Sequence, residues 1–135
     1  MALTHIVDTS VLTRLSTPPV REALDARGAT VAVTSITDLE LCYSARTGSE
    51  WDTIIGSLDV LHRVDIEPHH FRRAGQVQRR LADAGLRGRK IPDLLIAACA
   101  DDLGLTVLHY DRDFDHITAV TGQPCEWVVE PGSID

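Results

Sequence analysis

No apolar run in this 135-residue chain is longer than the seven residues Leu94 to Ala100. A bilayer-spanning helix needs about 20, so no membrane segment is expected. The N-terminus lacks a basic patch followed by an apolar stretch and a small-residue cleavage site, so no signal peptide is expected either. Cysteine is scarce: Cys42 and Cys99 sit in apolar helical patterns and Cys125 lies near the end. No pair has metal-ligand spacing, which argues against a disulfide framework or a zinc site and for a reduced, cytoplasmic protein. The 9 Gly and 6 Pro are scattered without period, which excludes collagen-like and low-complexity classes. Positive charge is short as well. With 13 Lys+Arg against 20 Asp+Glu the net charge is −7, which argues against a simple nucleic-acid coat protein.

What is present is enough for a core. At 44% apolar residues the chain is too hydrophobic to be disordered, and its length predicts one domain over residues 1–135. Short β-branched runs alternate with helical patterns. Thr4–Val7 reads as a strand ended by Asp8, and Asp8-Thr9-Ser10 supplies helix-capping chemistry ahead of Val11, Leu12 and Leu15. Pro18-Pro19 breaks that helix, and a second runs from Val20 to Arg27, closed by Gly28. Thr30–Thr34 is a strand, followed by a helix capped by Ser35 with Asp38 as the acidic half of a capping box. Ser49 caps a helix over Glu50–Asp59, and Leu61–Ile66 is a strand. Pro68 opens a long helix to Ala84, stopped by Gly85. A basic loop over Leu86–Lys90 leads to Pro92 at the first position of an apolar helix, Asp93–Leu103, ended by Gly104. Leu105–Leu108 is a strand, Asp111–Gly122 a loop and short helix, Glu126–Val129 a last strand, and Pro131–Asp135 a frayed tail. This order predicts a three-layer α/β/α fold around a mainly parallel sheet.

Ligands of such sheets bind beyond the carboxyl ends of the strands, where strand order reverses. Asp8 directly follows strand one, and Asp111 and Asp113 lie just past the fourth. Glu40 lies in the helix after strand two, and Asp93 in the first turn of the helix after the basic loop. Each has a plain reading alone: Asp8 as a helix cap, Asp93 as a first-turn acid favoured by the helix dipole, Asp111 and Asp113 as a turn. Together they are costly, because two like charges 4 Å apart repel by about 4 kcal/mol at an effective dielectric near 20. Such a group either protonates or holds cations, and oxygen-only ligands select Mg²⁺ or Mn²⁺. Metal-assisted phosphodiester hydrolysis is the chemistry that suits it.

The stretches Val7-Asp8-Thr9-Ser10-Val11-Leu12, Glu40, Ile91-Pro92-Asp93-Leu94-Leu95-Ile96-Ala97-Ala98 and Asp111-Arg112-Asp113-Phe114 resemble the PIN-domain family. More narrowly they resemble the VapC-type toxin ribonucleases of bacterial toxin–antitoxin pairs, over nearly the whole chain. The resemblance implies a Mg²⁺-dependent endoribonuclease whose acidic site is Asp8, Glu40, Asp93 and Asp111. Asp113 would be an auxiliary acid, and Thr9 or Ser10 would orient a water or a substrate phosphate. It also implies an RNA substrate, a VapB-type antitoxin, a homodimer, and a heterotetramer or larger assembly with the antitoxin. One position departs from the family pattern: His109 stands where Thr or Ser often precedes the acid matching Asp111, and it reads as a packed strand-end residue.

Seven of the 13 basic residues fall within positions 72–90. Arg72 and Arg79 share one face of the long helix and Arg73 and Arg80 another, which fits a phosphate rail, a face for an acidic antitoxin, or a solvated surface. The loop residues Arg87, Arg89 and Lys90 run straight into Asp93 and are the expected substrate contacts. The remaining histidines have no ligand spacing that stands out. Trp51, Ile54, Ile55 and Leu58 read most simply as core, with part of the stripe open to an antitoxin. Two rivals remain. An aspartyl-phosphate phosphotransfer protein would need Asp-x-Asp after strand one, where position 10 is Ser, or a Lys after the last strand, where the only lysine is Lys90. A degenerate PIN domain binding RNA or protein without cutting would not require all four acids.

Overall fold

A computed structural model describes residues 2–87 and 90–135. Five strands form one parallel sheet: β1 (His5–Val7), β2 (Val31–Thr34), β3 (His62–Val64), β4 (Thr106–His109) and β5 (Cys125–Trp127). Their order is β3-β2-β1-β4-β5. All four pairings are parallel, with Ile6 opposite Ala32 on one side and Val107 on the other. Strand order therefore reverses between β1 and β4.

Alternation along the strands sorts the core into two layers. Ile6, Ala32 and Val107 face one side and pack with α5 (Pro68–Asp83), α6 (Ile91–Leu103) and α7 (Asp113–Thr121). Val7, Val31, Val33 and Leu108 face the other, against α1 (Thr9–Leu12), α2 (Pro18–Asp25) and Leu58 at the end of α4 (Gly48–Ser57). The helix α3 (Ser35–Cys42) bridges the layers, with Ile36 on the first and Leu41 on the second. The three-layer fold expected from the sequence is the one observed. The run Leu94–Ala100 is buried all round because α6 is sandwiched between the sheet and α5. Among the described residues, no helix is long and apolar enough to cross a membrane.

Several local expectations are corrected. Pro18 and Pro19 do not stop a helix; they open α2, where the missing N–H groups would be unsatisfied in any case. Gly28, at φ +56°, starts a 3-10 turn (Gly28–Thr30) rather than capping α2 directly. Ser35 is not the cap of α3: Thr34 occupies that place without a side-chain cap bond, and Asp38 pairs with Arg63 at 2.9 Å. Thr47, not Ser49, caps α4 by accepting the Glu50 N–H at 3.0 Å. Helix α6 begins at Ile91, one residue before Pro92, with Lys90 as its cap.

Of the α4 stripe only Leu58 is core. Leu58 is buried, Ile54 and Ile55 are half-buried, and Trp51 is 42% exposed. The C-terminal tail is not frayed. The Tyr110 hydroxyl donates to the Ile134 carbonyl at 2.7 Å and accepts from the N–H groups of Gly132 and Ile134, while Arg14 pairs with Asp135 at 3.0 Å.

Candidate active site

The short strand β1 delivers Asp8 to the carboxyl edge of the sheet beside β4, where the Asp8 N–H donates to the Leu108 carbonyl at 2.9 Å. Asp8 is at once a cap and a spare ligand. Its Oδ2 accepts the Ser10 N–H at 2.9 Å and starts α1, whereas its Oδ1 is buried without a partner. Asp93 lies in the first turn of α6 and is only 7% exposed, and its Oδ2 is also buried without a partner. Such orphaned oxygens are rare in native folds and call for an explanation.

The other acids gather around them. Asp93, Asp111 and Asp113 offer carboxylate oxygens that all lie within 4.8 Å of one another. Burial, then repulsion from Asp8 and Asp111, pushes the Asp93 carboxyl up to about 8. Burial likewise raises Asp8, with Glu40 and Asp111 adding repulsion. Five carboxylates thus share one electrostatic neighbourhood. Glu40 stands at its exposed rim, where the Thr9 hydroxyl donates to its Oε1 at 2.6 Å and can accept from the Thr37 hydroxyl at 3.1 Å. Ser10 turns inward: its Oγ accepts the Tyr110 N–H at 2.9 Å and stitches α1 to the end of β4. Asp111 Oδ1 accepts the Asp113 N–H at 2.9 Å, so the two acids are held in one turn.

Lys90 reaches into the same cluster, its Nζ 3.2 Å from both Asp111 Oδ2 and Asp113 Oδ2. Burial disfavours its ammonium, but the hydrogen bonds it donates to the two acids outweigh this and raise its pKa above the ordinary lysine value. Of the other expected phosphate contacts, Arg87 is exposed and Arg89 lies outside the described residues. Arg72, Arg79 and Arg80 are exposed on α5, and Arg73 leans on Asp101 at 3.6 Å.

His109 is a packed residue, as its strand-end position suggests. It is fully buried, its ring centroid 4.9 Å from those of both Phe114 and Trp127 in tilted contact, and its Nδ1 accepts the Asp111 N–H at 3.1 Å. Burial depresses its pKa to about 4, so the ring is neutral at physiological pH and shapes the Asp111 turn.

Five residues near or beyond the site escaped the reading of the sequence. Thr37 is buried one turn before Glu40, and only their three-residue spacing on α3 hinted that they share a face. Tyr110 carried no signal. His69, His70 and Asp102 also converge, with the two ring Nε2 atoms 3.1 and 3.0 Å from Asp102 Oδ2. The His70 Nδ1 accepts the Glu67 N–H at 2.8 Å, so its Nε2 must carry the proton it gives to Asp102. That ring fastens α5 to α6.

An all-oxygen donor set with two unpartnered buried oxygens fits a hard divalent cation. The profile of the PIN domain matches residues 5–120. Ribonuclease VapC51 of Mycobacterium tuberculosis is 53% identical over the full length of both chains. Ribonuclease VapC18 of the same organism is 42% identical, covering 95% of this chain and 97% of its own. Among solved structures, the DNA-bound VapBC complex of Salmonella typhimurium contains a chain with the same fold, at a TM-score of 0.77 and 23% identity over 94% of this chain and 99% of that one. The chain belongs to the PIN-domain family, among its VapC members.

Proposed function

We propose that this protein is the toxin of a VapBC-type pair, a Mg²⁺-dependent endoribonuclease whose single PIN domain spans residues 1–135. The observation that carries this reading is the convergence of Asp8, Glu40, Asp93, Asp111 and Asp113 at the β1–β4 switch point, with two carboxylate oxygens left bare. The ribonuclease names of relatives at 53% and 42% identity support the substrate class.

Asp8, Asp93, Asp111 and Glu40 would hold the cation, Mg²⁺ in the cell with Mn²⁺ as a substitute. When bound, such an ion lowers the pKa of a water and stabilises charge on a phosphate. The chain supplies the rest. Thr9 fixes the Glu40 carboxylate, which faces solvent at the rim of the pocket. Ser10 and His109 hold the backbone turns that carry Asp8 and Asp111. Arg87, Arg89 and Lys90 would meet the RNA backbone.

A VapB-type antitoxin would cover the exposed apolar residues around α3 and α4: Leu39, Tyr43 and Trp51 are 67, 92 and 42% exposed. Homodimerisation, and a heterotetramer or larger assembly with the antitoxin, belong to the same reading, as does a cytoplasmic location. The test is cleavage of purified total RNA by the isolated protein. Cuts are expected in Mg²⁺, abolished by chelator and by Asp93→Asn. Cutting by the folded Asp93→Asn protein at the parental rate would refute the proposal.

A further inference from the structure

The acidic pocket is divided. Its Asp8 and Asp93 half holds bare oxygens, whereas its Asp111 and Asp113 half is already partly neutralised by Lys90. Asp111 Oδ1 is taken by the Asp113 N–H, which leaves Oδ2 as its outward oxygen, and that is the one Lys90 holds. A divalent ion using the same oxygens therefore competes with the ammonium, and two cations so close repel.

Lys90 is built to yield. Its side chain is 62% exposed, so most of its stem runs through solvent. It is the single lysine among 13 basic residues, the rest being arginine. Lysine is a compact charge on a flexible stem, without the planar fork that would lock an arginine onto a carboxylate. Its backbone caps α6 three residues ahead of Asp93, so the stem pivots at the rim of the pocket.

We propose that Lys90 is an exchangeable internal cation: it occupies Asp111 and Asp113 in the metal-free protein and leaves them for the RNA phosphate when a divalent ion is bound. Metal loading and phosphate capture are then coupled through one side chain. The inference rests on the metal-dependent nuclease reading and adds to it a positioning residue that senses occupancy.

Three experiments test it. In protein labelled selectively with ¹³C-lysine, Lys90 gives the only lysine signal. Its ε-methylene resonance should shift as Mg²⁺ is added without RNA; a resonance unmoved at saturating Mg²⁺ would overturn the exchange. In calorimetry with Mn²⁺ alone, Lys90→Met should bind the ion about tenfold more tightly, the scale of two half-exposed ion pairs removed. Lys90→Arg, which keeps the charge, should bind it no more tightly than the parent. At saturating Mn²⁺, Lys90→Met should raise KM for RNA more than it lowers kcat. Unchanged Mn²⁺ affinity in Lys90→Met, with a parent that binds Mn²⁺ and cuts RNA, overturns the exchange alone. An unchanged KM overturns the phosphate contact. A parent that binds no Mn²⁺ overturns the nuclease reading with it.

Discussion

Asp8 shows how one side chain serves the fold and the chemistry at once. One oxygen caps α1 through the Ser10 N–H while the other stays bare. An asparagine can keep the cap but presents a neutral oxygen, so Asp8→Asn should retain the fold and lose at least about a hundredfold in RNA cleavage. Asp93 predicts a trade-off between stability and function. Its carboxyl is buried beside Asp8 and Asp111, where ionisation is disfavoured and the folded state loses stability relative to an unfolded chain that ionises freely. Asp93→Asn should therefore melt about 3 °C higher than the parent in chelator while failing to cut RNA, as calorimetry and a cleavage assay would read. Glu126 has the opposite sign. Burial works against its charge, but hydrogen bonds from His5 and Arg27 hold its carboxyl below the ordinary 4.5. The folded state then binds fewer protons, so this stabilisation is complete above pH 4.5 and fades as pH falls through the lowered value. Denaturant unfolding should show Glu126→Gln less stable than the parent at pH 7, with the gap closing near pH 3.

At the scale of elements, the same periodicity can mean core or surface. Trp51, Ile54, Ile55 and Leu58 repeat at helical spacing, yet only Leu58 reaches the second core layer. Leu58→Ala should cost about 2–5 kcal/mol of unfolding free energy, whereas Trp51→Ala should cost under about 1 kcal/mol. The reverse ranking would restore the stripe to the core. The tail gives a second contrast. Its Pro, Gly and Ser suggest fraying, but one hydroxyl, on Tyr110, ties it down from 24 residues away in sequence. Tyr110→Phe should speed amide exchange at Gly132 and Ile134 without changing exchange in β4. What was legible is what local chemistry sets: the buried run of α6, the alternation of β1, β2 and β4, and Gly104 with φ +69° at the end of α6. What was illegible depends on partners distant in sequence, such as Arg63 for Asp38 or Tyr110 for the tail.

Over the whole molecule, the strand order does the assembling. Placing β1 between β2 and β4 brings Asp8, the α3 acid and the β4 turn to one edge, although these residues are far apart in the chain. Asp8, Asp93, Asp111 and Asp113 were legible because each follows a strand or opens a helix, whereas Glu40, deep in α3, was legible mainly through the family resemblance. Lys90 was read as a phosphate contact; its grip on Asp111 and Asp113 follows from how α6 packs beside β4 and could not be read from spacing. The central claim is that these carboxylates form one pocket that needs a cation. Anomalous diffraction from crystals soaked in Mn²⁺ tests it most directly. The predicted result is an anomalous peak within coordination distance of Asp8 Oδ1 and Asp93 Oδ2, lost in Asp93→Asn. Well-ordered crystals with no peak among these oxygens at saturating Mn²⁺ would contradict it.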